Sequence, residues 1–241
     1  MNPPQLELFD NPGTVWRVGF KPDPWAWPNW KYAQEDGRFG GRWDDEEAQF
    51  RTIYTADSLY SCFVELLAKF RPHRGVDDAV MAIEDPDDQV AQYAEYPAGT
   101  INFSWFEDRA AGRAAQTGRY CYVTHSNSVA VLRQHFFPGD YGVQAADFDA
   151  ALLKDSAPRV LTRSIARWLY QLSGSGTESP AVDGVEFRSR HGDDLRMWAV
   201  FERPDQGEVS PHFNQQVSVA LTPEVPELTR ALQLHGLNWT P

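Results

Sequence analysis

The chain has 241 residues, with 22 Lys+Arg against 34 Asp+Glu, a formal net charge of −12. That length is enough to bury one large core or two small ones, and a composition 42% hydrophobic and 13% aromatic excludes a disordered tail. The negative field of the whole molecule opposes general binding to nucleic-acid phosphates or anionic membranes, so an anionic substrate needs a local group of arginines.

No uninterrupted apolar run exceeds five residues, too short to span a bilayer. The start, Met1-Asn2-Pro3-Pro4-Gln5-Leu6-Glu7, has neither the basic nor the apolar region of a secretory leader. Cys62 and Cys121, far apart in sequence, read as reduced packing thiols. A cytoplasmic location is expected.

In chain order, residues 1–13 read as an N-terminal arm and Thr14 to Phe20 as a strand carrying Arg17. Residues 21–41 contain three prolines and three tryptophans, the pattern of an ordered insert (near 21–39) packed through its aromatics. Arg51 to Thr55 reads as a strand. Asp57 or Ser58 caps a helix to about Phe70 whose Leu59, Phe63, Leu66 and Phe70 share one face, and Pro72 ends it. Val80–Ile83 and Tyr120–Thr124 read as strands, with a helix between them around Trp105–Ala115. Pro158 to Leu172 forms a second long helix, followed by strands at Gly184–Arg188, Arg196–Glu202 and Gln216–Leu221 and a closing helix at Glu224–His235. Helices and strands intermix without βαβ alternation, which predicts an α+β fold.

Generic catalytic motifs fail. Gly174 and Gly176 begin a G-x-G, but Ser179 stands where the third glycine belongs, and the segment follows a helix. Phosphate-loop and zinc-helix motifs are lacking, and the six histidines show no metal-ligand spacing. A Ser-His-Asp grouping stays open, since its members can lie anywhere along a chain.

One constellation remains. Arg17 lies in Trp16-Arg17-Val18. Downstream come Gly40-Gly41-Arg42-Trp43, Ile53-Tyr54-Thr55-Ala56-Asp57-Ser58 and Glu65 inside the first helix, then Asp183-Gly184-Val185-Glu186-Phe187-Arg188-Ser189-Arg190. On residue chemistry alone, Glu65 reads as a solvated helix glutamate and Arg17 as a surface arginine whose stem covers apolar side chains. The two glycines before Arg42 let backbone approach a ligand. Tyr54 is equally a ring for a cation or a core tyrosine with a wet hydroxyl, and Ser189 is a hydrogen-bond donor or a strand-end serine bonded to nearby backbone.

Together these segments, over roughly Thr14 to Glu202, resemble the RES-domain family, whose members are mostly toxins of toxin–antitoxin pairs. The resemblance implies a single domain with an ADP-ribosyltransferase-like split β-sheet core flanked by helices, the RES-like segment spanning 14–202 and a C-terminal extension, 203–241, packed on it. It implies an enzyme that cleaves the nicotinamide–ribose bond of NAD by hydrolysis or phosphorolysis, with NAD as substrate and no cofactor or metal. Its implied partners are an Xre-type antitoxin and a second copy of the chain, without direct nucleic-acid or membrane binding. Glu65, Arg17 and Ser189 take catalytic roles, with Arg17 and Arg42 on the pyrophosphate and Glu65 at the ribose. Tyr54, Trp43 and Tyr32 line the substrate site. The expectation is that Arg17, Arg42 and Glu65 converge on one cleft.

The chain departs from the family pattern at Asp44, where Asn is usual, and at Val18, where some relatives carry Tyr. Two other readings stand beside NAD cleavage: transfer of ADP-ribose onto a protein, and an inactive interaction module in which Asp44 spoils Arg42 and the tryptophan-rich loop is the contact.

Overall fold

The computed structural model describes residues 5–72, 99–155, 159–174, 180–204 and 206–240. The strand expected at Val80–Ile83, the helix start at Pro158 and the Gly176 and Ser179 positions lie outside these residues.

The strands are β1 (Leu8–Asp10), β2 (Gly13–Phe20), β3 (Thr52–Ala56), β4 (Thr100–Ile101), β5 (Arg109–Gln116), β6 (Arg119–Tyr122), β7 (Gly184–Ser189), β8 (Gly192–Phe201), β9 (Phe213–Ala220) and β10 (Asn238–Trp239). The helices, numbered along the described chain, are α1 (Leu59–Leu67), α2 (Ser126–His135), α3 (Ala150–Lys154), α4 (Arg159–Gln171) and α5 (Pro226–His235). Eight strands form one sheet in the order β1-β6-β7-β8-β3-β2-β5-β9, while β10 pairs with β4. Only β6–β7 runs parallel within the large sheet. Its two halves meet where β2 and β3 share one registered pair, Trp16 with Ala56. The result is an α+β fold with a large central sheet flanked by helices, as the intermixed elements predict.

Pleating sends alternate residues to opposite faces. The register Trp16–Ala56, Tyr54–Ala199, Ala56–Met197 and Phe187–Met197 puts Tyr54, Phe187 and Met197 on one face. There they join a core with Leu161, Ile165 and Leu169 from α4 and Leu132 from α2. The opposite face carries Val15, Ile53, Trp198 and Val200, covered by Trp25 and Trp27. The tryptophan-rich insert is therefore a lid on the sheet's reverse face, with Trp25 1% and Trp27 4% exposed.

Ser58 caps α1 in extended backbone, its hydroxyl accepting from the Ser61 amide at 3.1 Å. Leu59, Phe63 and Leu67 then fall on one buried stripe, packed against Leu228 and Leu232 of α5. Pro226 opens α5 and Gly236 closes it in the left-handed region, the arrangement those two residues favour.

Residues around Trp105–Ala115, expected as a helix, form a 3-10 turn at Phe103–Phe106 and then β5. Alanine's helix preference amounts to tenths of a kcal/mol per residue, and tertiary packing overrides it. This strand sits between β2 and β9 and lies directly beneath Trp25. A Cβ on Gly112 would meet the indole at 2.7 Å. Within the N-terminal arm, Leu8–Asp10 is an edge strand on β6, and the Glu7 amide donates to Ser128 Oγ at 3.0 Å. Among the described residues no helix is long and apolar enough to cross a membrane.

Candidate active site

The Phe39–Glu47 loop leads from the reverse face round to the helix-covered face, and its shape follows from how its polar groups are tied down. The Asp44 carboxylate, 4% exposed, accepts the Gly41 amide at 2.6 Å and the Tyr54 hydroxyl at 3.1 Å. That same Tyr54 oxygen accepts the Trp43 amide at 2.9 Å. From α4, Arg163 donates to the carbonyls of Gly41 (3.3 Å) and Phe39 (2.7 Å). One turn on, Arg167 pairs with Asp45 at 3.2 Å and Glu47 at 2.7 Å. Both backbone polar groups of Gly41 are thus held by side chains. A Cβ there would collide with the Tyr54 hydroxyl and come within 2.6 Å of Asp44 Oδ2, so glycine is required.

This frame presents Arg42. Its guanidinium lies 5.8 Å from the centre of the Phe187 ring, and its buried Nε and Nη1 have no protein hydrogen-bond partner. Burial lowers its pKa to about 10; the Glu65 carboxylate opposes that shift, while Arg190 and Arg159 add to it. A buried cation left without acceptors costs several kcal/mol unless a ligand supplies them. Such a group is a ready anion receptor.

Glu65 stands on the half-buried flank of α1. Its charge also bears on Arg71, just past the helix, and on His235 of α5. In the β7–β8 turn, burial followed by Arg71, Arg190, His235 and Arg42 holds the His191 imidazole down to about 3. The charges of Glu65, Arg159 and Arg190 thus bear on Arg42, those of Glu65 and Arg190 on Arg71, and those of Arg42, Arg71 and Arg190 on His191, a linked and mainly positive group in a chain of net charge −12.

Beside it, a depression of about 430 Å³ is lined by Ser189, Arg190, His191, Gly192 and Asp193 with Ala151, Lys154 and Asp155. Neither Arg42 nor Glu65 forms its wall. The orphaned donors of Arg42 and the Glu65 carboxylate belong to that charged group and not to the depression. Among the described residues no group of three or more His, Cys, Asp or Glu could hold a metal ion.

Of the residues expected to converge, Arg42 and Glu65 do and Arg17 does not. The Trp16–Ala56 register turns Arg17 to the reverse face, where it donates to the carbonyls of Pro24 (2.6 Å) and Ala26 (3.2 Å). Burial lowers its pKa to about 10, and both carbonyls are held by the same nitrogen, Nη1. Arg17 fastens the tryptophan lid instead.

Trp43 is fully buried, its ring 5.8 Å from Phe187, and anchors the loop as a core residue. Tyr32, 55% exposed, stacks on Phe20 at 5.6 Å, and its ring contacts are to Phe20 and Lys31. Tyr54 takes the core alternative: burial and then Asp44 raise its pKa well above the usual tyrosine value, and its hydroxyl belongs to the loop. Ser189 is buried and accepts the His191 amide at 2.9 Å, the strand-end bonding that serine favours.

The sequence reading missed Arg71, Arg159, Arg163, His191 and His235. The pair Arg163 and Arg167, one turn apart in a helix, was a visible signal opposite the acidic run from Asp44 to Glu47; His235 carried none.

The family model for the RES domain matches residues 14–222. The chain belongs to the RES-domain family. A search of curated proteins finds no match. Among solved structures, a chain of the crystal structure of the M. tuberculosis MbcT–MbcA toxin–antitoxin complex is similar at 17% identity. The match covers 95% of this chain and 91% of that one, with a TM-score of 0.42. The RES segment contains Arg42, Glu65, Ser189 and the α4 arginines, whereas α5 with His235 begins after it ends.

Proposed function

We propose that this RES-domain protein consumes NAD, cleaving the bond between nicotinamide and ribose, and acts in the cytoplasm as the toxin of a toxin–antitoxin pair. The single observation that carries the reading is the half-buried Arg42, whose buried Nε and Nη1 lack protein acceptors and whose charge the Glu65 carboxylate supports.

The chemistry fits those two charges. When the C1′–N bond breaks, its electron pair goes to the nicotinamide nitrogen, so the leaving group departs neutral without needing a proton. C1′ becomes an oxocarbenium-like centre, and a negative group held nearby stabilises it more than it stabilises the ground state. Glu65 supplies that charge. Arg42, with Arg71, Arg159 and Arg190 around it, holds the pyrophosphate, for which planar guanidinium donors are suited. Water, losing a proton to solvent as its oxygen bonds, or a phosphate oxygen then adds to C1′.

Asp44 favours this reading over the inactive module. Its carboxylate is committed to the Gly41 amide and the Tyr54 hydroxyl, and Glu65 is the acid whose charge supports Arg42. An enzyme that drains NAD halts its own cell, so a blocking partner is required; the family resemblance points to an Xre-type antitoxin.

The test incubates purified protein with NAD, with and without phosphate, and follows free nicotinamide beside a Glu65→Ala control. Nicotinamide together with ADP-ribose or its phosphate ester is the expected result. Label appearing on a protein instead means transfer. No nicotinamide release, or equal rates for parent and alanine variant, overturns the reading.

A further inference from the structure

The RES match ends at residue 222, yet α5, starting at Pro226, reaches the site. It packs along α1 through Leu228, Ala231 and Leu232. The chain after it is tied down as well: the Asn238 amide donates to the Gly99 carbonyl at 3.0 Å, and β10 pairs with β4. These contacts bury His235 at the end of α1, 5% exposed.

Two hydrogen bonds fix its ring. Arg71 Nε lies 2.6 Å from His235 Nδ1. A guanidinium nitrogen can only donate, so Nδ1 accepts and the ring proton sits on Nε2. That Nε2–H points at the Val64 carbonyl, 2.8 Å away, in the residue before Glu65. One imidazole therefore bridges the backbone of the helical turn carrying Glu65 and the side chain of Arg71. Neighbouring charged and titratable groups are Glu65 on α1 and His191 on the β7–β8 turn, whose ring lies 6.1 Å away.

We infer that His235 is a positioning residue that aims the Arg71 guanidinium at the anionic part of the substrate, making the helix beyond the RES segment an integral part of the site. The inference rests on the proposed NAD reading for the identity of the ligand. It is geometric in its support: the bond that His235 makes is to Nε, so the terminal nitrogens of Arg71 are not the ones it engages. Without that bond a long arginine samples many rotamers and loses the fixed fork that recognises phosphate.

Two substitutions separate aiming from filling. In His235→Asn the amide oxygen can occupy the place of Nδ1 and keep the Arg71 bond while losing Val64. In His235→Gln the amide nitrogen can occupy the place of Nε2 and keep Val64 while losing Arg71. The probe is ADP-ribose, titrated calorimetrically into the full-length chain, with a thermal melt and NAD steady-state kinetics on each variant.

The expected result is near-parental affinity for His235→Asn and a loss of about tenfold for His235→Gln, the equivalent of one charge-assisted hydrogen bond. The loss should match that of Arg71→Gln, appear in KM more than in kcat, and not deepen in the Arg71→Gln/His235→Gln double variant. Parental affinity in His235→Gln, or equal losses in both variants that track their melting temperatures, overturns the positioning role while leaving the NAD reading intact. Parent protein that neither binds ADP-ribose nor releases nicotinamide overturns both.

Discussion

Asp44 holds the Gly41 amide at 2.6 Å and, with the Tyr54 hydroxyl at 3.1 Å, closes the turn that carries Arg42. The acid after the Gly-Gly-Arg-Trp run is thus a structural clamp. Gly41→Ala forces a Cβ into both partners and should cost about 1–3 kcal/mol, the usual penalty for overpacking a tight site. A calorimetric melt measures the loss. Nicotinamide release should fall further than stability alone explains, because the misplaced group is Arg42.

Tyr54→Phe separates the ring from its hydroxyl. The ring packs against the main core, so its burial survives. What disappears is the acceptor for the Trp43 amide and the donor to Asp44, leaving a buried amide and a carboxylate short of partners. The expected cost is about 1–3 kcal/mol, with KM for NAD raised and kcat less affected. A stacking role for Tyr54 predicts the reverse: phenylalanine would serve equally well and nothing would change.

Arg42→Met should trade function for stability. Burial works against the Arg42 charge more than Glu65 supports it, and its Nε and Nη1 have no protein acceptors, so the ligand-free fold carries a cation whose hydrogen-bond donors are unmet. Methionine fills similar volume without that penalty. Stability should rise by roughly 0.5–2 kcal/mol, while ADP-ribose binding and NAD turnover fall below detection. A melt of both proteins without ligand decides the sign; a lower melting temperature for the variant means that Arg42 is paired in solution.

How much of this was legible beforehand follows the range of each interaction. Local signals placed α1 with its Ser58 cap, α4, α5 and most strands, because period and caps are written in consecutive residues. Alanine-rich β5 was not legible, since its strand state is imposed by Trp25 on one side and neighbouring strands on both. At the site, Arg42 stands out through its Gly-Gly-Arg-Trp run, whereas Glu65 stands out only through the family resemblance. Arg17 shows the limit of motif transfer, and of chemistry alone: residue type suggests a surface arginine, whereas the β2 register turns it under the tryptophan lid, onto the Pro24 and Ala26 carbonyls. His235 lies 164 residues from Arg71, and nothing local announces such a pair.

pH dependence offers a last check, and its sign comes from two histidines held neutral. Burial and the surrounding cations push His191 down to about 3 from the 6.5 of an unperturbed histidine, and burial lowers His235 as well. Between those values the unfolded chain binds protons that the fold refuses. Stability contributed by these rings is therefore complete above pH 6.5 and drains away as the pH falls from 6.5 towards 3. Paired carboxylates such as Asp10 and Asp193, whose pKa values Arg119 and Lys154 lower, add acid sensitivity below their own ordinary range near 4. The histidine part is isolated by comparison with His191→Gln, which keeps the backbone amide bonded to Ser189 but removes the titrating ring. Its melting temperature should decline less steeply than the parent's between pH 6.5 and pH 4.5, a window above most carboxylate titration. Parallel curves for the two proteins mean that His191 takes up its proton freely in the fold, and that the guanidinium groups of Arg42, Arg71 and Arg190 stand farther apart than the site requires.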